Sequence, residues 1–243
     1  VHSRQGKQYL EQKNFDNAIG EFQKALRIAP SAIEPLQGMV QAYLAQGRPD
    51  RAMARVNSQL RITSPTLHQA YFLLGQIHEG QNQPVEAIRA YQKALDINAA
   101  WDAPYLALAR HHHARGDIKR AIAVLETARN RLPESKTIAL HFAYMLEAHQ
   151  QYDRAMAEYE RLLRADADLA VAANNLAVLL LDKRGDITSV ERALNLTRRF
   201  HNSAQPAYLD TLGWALVKSG QASRGLAYLE KALAAEPNSP AYH

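Results

Sequence analysis

The sequence predicts an all-α chain, an α-solenoid of about seven stacked helix-turn-helix repeats, on three observations. A small residue recurs at Ala18, Ala52, Ala87, Ala121 and Ala155, at intervals of 34 or 35 residues. Each interval holds two stretches with apolar residues at i, i+3, i+4 and i+7, the spacing that lines one face of a helix. Breakers separate the stretches, as in Gly47-Arg48-Pro49, Asn82-Gln83-Pro84, Gly116-Asp117 and Gly220-Gln221. A fixed period of this length marks units that bury their apolar faces only by stacking on neighbours.

Within each unit the first helix is anchored by a small or apolar residue twelve positions before the recurrent one: Gly6, Val40, Gly75, Ala109, Ala143 and Gly213. A large residue follows three later, at Tyr9, Tyr43, His78, His112, Leu146 and Leu216. The second helix repeats small, large, small and then Pro, as in Ala18-Phe22-Ala25-Pro30, Ala121-Leu125-Ala128-Pro133 and Gly225-Leu229-Ala232-Pro237. Facing small residues such as Gly75 and Ala87 let paired helices approach at the short end of the usual range of about 8–10 Å. Pro49 and Pro84 suit a first helical turn, where the missing N–H leaves no bond unmade. About fourteen helices and no strand are expected. In the sixth unit the second small residue is Ala193, sixteen positions after Ala177 and not twelve. The extra residues fall in Asp182-Lys183-Arg184-Gly185-Asp186, which reads as a polar turn lengthening the connection between the two helices.

Composition narrows the function. With no Cys among 243 residues, disulfides, thiolate metal sites and cysteine nucleophiles are excluded. No run of about 18 apolar residues exists, so no direct membrane insertion by this segment is expected. The net charge of +5 is spread thinly, with seven Lys/Arg against three Asp/Glu in residues 110–136 and balance in residues 205–243, which makes no polyanion-binding tract. His111, His112 and His113 are successive on a helix and point about 100° apart, so they cannot converge on one ion. His78 and His112 stand at packing positions and read as interior-facing groups with local partners. No glycine-rich phosphate loop, nucleophile elbow or zinc-ligand spacing is present. The sequence therefore predicts no catalytic residue, no cofactor, no metal and no nucleic-acid partner.

The small-large-small-Pro pattern, with Leu74-Gly75 and Leu212-Gly213 in the first helices, resembles the tetratricopeptide repeat, whose signature runs W-x2-L-G-x2-Y, A-x3-F and P. The resemblance covers essentially the whole chain and places repeats at about 1–32, 33–67, 68–101, 102–135, 136–169, 170–205 and 206–239. Pro240-Ala241-Tyr242 copies Pro206-Ala207-Tyr208 and reads as the start of an eighth repeat. With Val1 in place of an initiator Met, it suggests a chain excised from a longer array. The family fold implies a right-handed superhelix whose first helices line a concave groove. That geometry places Gln37, Gln41, Phe72, Gln76, Leu106, Arg110, Leu140, Tyr144, Asn174, Val178, Asp210 and Trp214 in the groove. The line turns from polar to apolar along the chain, which reads either as a partner surface or as side chains packed on neighbouring helices or covered by further repeats.

Some members of the family hold a chaperone's C-terminal carboxylate with a cationic clamp on three successive first helices. Gln37, Gln41, Phe72 and Leu106 stand where that clamp needs basic residues, so it is absent. The C-terminal repeats are similar to those of bacterial envelope and exopolysaccharide-export members. That similarity implies a periplasmic, non-enzymatic scaffold holding another protein or peptide segment in its groove, alongside further repeats or domains of the same parent chain. The rival readings are a cytoplasmic co-chaperone or regulatory adaptor and a self-assembling structural module.

Overall fold

A computed structural model describes residues 1–62 and 64–236. The described residues form fourteen α-helices and no strand. The eighth-repeat opening at Pro240 lies outside them. The chain divides into two compact units, one of residues Val1–Leu132 and one from Pro133 onward.

The first unit holds four helical hairpins. These are α1 (His2–Glu11) with α2 (Phe15–Ile28), α3 (Ile33–Ala45) with α4 (Pro49–Leu60), α5 (Leu67–Gly80) with α6 (Pro84–Ile97), and α7 (Asp102–Ala114) with α8 (Ile118–Arg131). The second unit holds three: α9 (Lys136–Ala148) with α10 (Tyr152–Ala165), α11 (Ala170–Leu179) with α12 (Ile187–Thr197), and α13 (Pro206–Lys218) with α14 (Ala222–Ala235).

Six of the hairpins turn by the same backbone device. The second residue after each first helix takes a left-handed conformation: Lys13, Gly47, Asn82, Gly116, Gln150 and Gly220, with φ between 56° and 83°. The N–H of the following residue then reaches back five positions, as from Arg48 to the Tyr43 carbonyl and from Gln151 to that of Leu146, at 2.8–2.9 Å. This arrangement satisfies the last carbonyls of the first helix and reverses the chain within three residues. Pro49 and Pro84 open the second helices that follow, as their fixed φ favours.

Lys13 and Gln150 hold the left-handed conformation without being glycine or asparagine. For an L-residue this costs about 1–2 kcal/mol, of which glycine's larger unfolded-state entropy returns about 0.5–1. Gln150→Gly is therefore expected to raise stability by about 0.5–1 kcal/mol in urea denaturation. A loss of stability would mean that the Gln150 side chain contributes more than its backbone costs.

Packing inside a hairpin depends on small residues that leave room for a ring or for the opposite backbone. The Phe22 ring is fully buried against both Gly6 of its own hairpin and Gly38 of the next. A Cβ at Gly6 would lie 2.5 Å from ring atom Cε1, and one at Gly38 would fall inside the ring's surface. Between α13 and α14 the approach is backbone on backbone, since a Cβ at Gly225 would lie 2.6 Å from the Gly213 carbonyl oxygen.

Stacking of hairpins follows from the other face of each second helix. Ile19 and Leu26 of α2 are buried against α3, within a core that also holds Leu36, Met39, Val56 and Leu73. Neighbouring first helices meet directly, α1 with α3, α3 with α5, and α11 with α13, more than second helices do. That wedge puts the first helices on the inner side of each stack.

The sixth hairpin differs from the polar turn expected from its sequence. Leu180–Arg184 continue α11 as a π-helical turn, with Leu180 and Leu181 buried and Asp182, Lys183 and Arg184 exposed. Winding the extra residues wide keeps Leu179, Leu180 and Leu181 all inside, which an open loop would not. Gly185 takes φ 68° to end the turn, and Asp186 caps α12 by accepting the Ser189 N–H at 3.0 Å.

Candidate partner-binding surface

In the first unit the inner helices α3 and α5 present three glutamines. Gln37, Gln41 and Gln76 lie together on the rim of an open hollow of about 670 Å³, floored by Val40, Leu44, Ala45 and Leu73. All three are exposed, and their amides make no hydrogen bond to any described residue. Positions flanking the small residue of a first helix point inward because the small residue itself faces the paired helix. A primary amide can donate and accept at once, which matches the backbone of an extended peptide. Apolar contact for side chains comes from Leu44, 40% exposed, a floor residue that the motif register did not single out.

The other residues placed in the groove of this unit are arranged differently. Phe72 is half-buried and packs on Tyr91 and Trp101, with ring centroids 5.3 and 4.8 Å away, so it joins the third hairpin to the fourth. Leu106 is half-buried. Arg110 is exposed and forks onto Glu79, with Nη2 at 3.2 and 3.0 Å from the two carboxylate oxygens. Glu79 also accepts the Tyr91 hydroxyl at 2.8 Å. Tyr91 is otherwise fully buried, and burial raises its pKa, with the bond to Glu79 adding to the rise.

In the second unit Tyr144 of α9 is 65% exposed, and Leu140, one turn before it, is half-buried. Val178 is half-buried, as is Trp214, whose ring lies 4.8 Å from the Lys218 ammonium. Asn174 of α11 and Asp210 of α13 are buried, and these two helices are in contact. A chain of hydrogen bonds runs inward from there. Asn174 donates to the Asn175 side-chain oxygen Oδ1 at 3.3 Å, and Asn175 to the Tyr159 hydroxyl at 3.2 Å. Tyr159 donates in turn to Glu147 at 2.9 Å.

Glu147 and Tyr159 repeat Glu79 and Tyr91 at a distance of 68 residues, two repeats on. Burial raises the Glu147 carboxyl pKa, with the Tyr159 bond and the more distant Lys183 charge opposing it. The motif register missed both Glu-Tyr pairs, since their members sit on different helices; the shared two-repeat period was the available signal.

The histidines have local surroundings. His78 Nδ1 lies 2.6 Å from the Gln83 side-chain oxygen, and burial lowers the pKa of His111 and His112. Among the described residues no group of three His, Cys, Asp or Glu side chains is placed to hold a metal ion. No described helix is long and apolar enough to cross a membrane.

Comparison with known proteins agrees with this architecture. A tetratricopeptide repeat family model matches residues 9–77 and 79–141, more than half of the chain. Superkiller protein 3 of Schizosaccharomyces pombe is 30% identical over 131 residues, covering 51% of this chain and 9% of its own length. Cellulose synthase operon protein C of Pseudomonas fluorescens is 24% identical over 253 residues, covering 94% of this chain and 19% of its own length. The chain thus spans less than a fifth of either curated relative. The solved C-terminal part of a tetratricopeptide repeat-containing protein from Cytophaga hutchinsonii shares the fold at a TM-score of 0.66, with 15% identity over 98% of this chain and 96% of that one. Paired small residues, six left-handed hairpin turns and the family match lead to one assignment: the chain belongs to the tetratricopeptide repeat family.

Proposed function

We propose that this chain is a non-catalytic scaffold that holds a segment of a partner protein on its inner helices, within a bacterial envelope system for exopolysaccharide assembly or export. Protein–protein interaction is the general role of tetratricopeptide repeats. The observation that carries the reading is the hollow rimmed by Gln37, Gln41 and Gln76. Three exposed amides unengaged by any described residue, above the apolar surface of Leu44 and Leu73, can bind peptide backbone and side chain together. Phe72, Leu106 and Arg110 in the first unit, and Leu140, Tyr144, Val178 and Trp214 in the second, extend the inner faces. Buried Asp210 would act there by shaping the surface.

The envelope assignment, and with it a periplasmic location, draws support from the match along nearly the whole chain to a protein of a cellulose synthase operon. The absence of a cationic clamp at Gln37, Gln41, Phe72 and Leu106 favours it over a chaperone adaptor.

The test is recovery of a partner from bacterial envelope extract by the immobilised chain and by a Gln37→Ala, Gln41→Ala, Gln76→Ala variant. Three exposed glutamines are replaced, so the fold is expected to persist, which circular dichroism checks. A protein retained by the wild type and by an outer-face Lys119→Ala control, and lost from the triple variant, is expected. Equal retention by all three would overturn the placement of the site.

A further inference from the structure

We propose that the second unit binds an arginine side chain of the partner segment at Glu147, Tyr144 and Asn174. The proposal rests on reading the inner faces as the partner surface, and it names the chemistry recognised there.

The chain itself supplies the pattern. In the first unit Tyr91 donates to Glu79, and the Arg110 guanidinium completes the carboxylate by a two-oxygen contact. In the second unit the Tyr159–Glu147 pair is repeated, but Val178 occupies the position equivalent to Arg110. Glu147 forms no ion pair with any described residue. The cation whose charge acts on it, Lys183, holds its ammonium 4.9 Å over the Tyr152 ring. A half-buried carboxylate with one hydroxyl donor retains acceptor capacity, and a guanidinium matches it in two parallel bonds.

Two further groups favour the same ligand. Tyr144 precedes Glu147 by three residues, so the two neighbour each other on one face of α9, and Tyr144 is near enough to Tyr159 to influence its ionisation. Its exposed ring offers the π face on which a guanidinium stacks. Asn174 is 9% exposed, and its side-chain oxygen is buried with no hydrogen-bond donor among the described residues. Asn174 is tied to Glu147 through Asn175 and Tyr159, so its unfilled acceptor belongs to the same network. A buried acceptor without a donor is destabilising unless a ligand supplies one.

The test uses N-acetyl-arginine methylamide and its uncharged isostere N-acetyl-citrulline methylamide, titrated into the labelled chain and followed by NMR. The arginine probe is expected to shift the Asn174 and Asn175 side-chain amides and the Tyr144 ring saturably. The citrulline probe should bind about tenfold more weakly or less, as loss of a charge-assisted pair implies. Glu147→Gln should abolish the preference for arginine. Val178→Arg, which leaves Glu147 and Tyr159 in place, should abolish binding by supplying the cation from within.

No saturable response to arginine, equal responses to both probes, or undiminished binding in Val178→Arg would each overturn the proposal. If the arginine probe fails while the triple glutamine variant still loses its envelope partner, the arginine site falls and the scaffold reading stands. Arginine binding with partner retention by the triple variant would give the reverse.

Discussion

Gly38→Ala is expected to destabilise the wild-type protein and to stabilise a Phe22→Ala variant. In the wild type the added methyl would enter the space of the Phe22 ring, which Gly6 holds from the other side, so the ring cannot swing clear. Overpacking of this kind costs about 1–3 kcal/mol. It outweighs the gain of about 0.8–1 kcal/mol from replacing glycine inside a helix. Phe22→Ala alone should cost about 3–5 kcal/mol, since a fully buried ring leaves a cavity between two hairpins. In that background the ring atoms the Gly38 methyl would meet are gone, and helix propensity makes Gly38→Ala favourable by about 1 kcal/mol. Urea denaturation of the four members of the cycle measures the reversal. The same sign in both backgrounds would show that Phe22 is not clamped between the two glycines.

Leu26→Ala and Leu233→Ala should differ severalfold although the two residues hold equivalent repeat positions. Leu26 is 6% exposed beneath α3, whereas Leu233 on α14 is 51% exposed. Truncating a buried leucine costs about 2–5 kcal/mol, while an exposed one changes stability within about 0.5 kcal/mol. Ile19 and Leu226 show the same contrast, at 8% and 54% exposure. Comparable losses at Leu26 and Leu233, measured on dilute protein by thermal denaturation, would mean that the α14 face is covered in solution.

Much of the fold was legible because the repeat states each rule several times. Gly75 leaves room for the Tyr91 ring, Gly213 and Gly225 face one another because only small residues allow that approach, and Gly47, Gly116 and Gly220 mark turns that need positive φ. Lys13 and Gln150 adopt the same conformation, yet nothing in their residue type announces it. The sixth hairpin was harder to read because a polar run, Asp182-Lys183-Arg184, suits a loop and the exposed side of a π turn equally well.

The candidate site divides along the same line. Gln37, Gln41 and Gln76 share a hollow because the register of one first helix against the next is set by repeated packing positions. Asn174 and Asp210 hold corresponding positions but are buried, because coverage by a neighbouring hairpin is a tertiary fact. Phe72 packs with Trp101 for the same reason. The Glu147–Tyr159 pair joins two helices and an acceptor network, and motif spacing along one helix does not report it.

The most direct measurement is hydrogen exchange on the chain alone and in complex with the partner recovered from envelope extract. Slowed exchange in α3 and α5 of the first unit and in α9 and α11 of the second, with α4, α6, α10 and α12 unchanged, is the expected pattern. Protection confined to the second helices would contradict binding on the inner face.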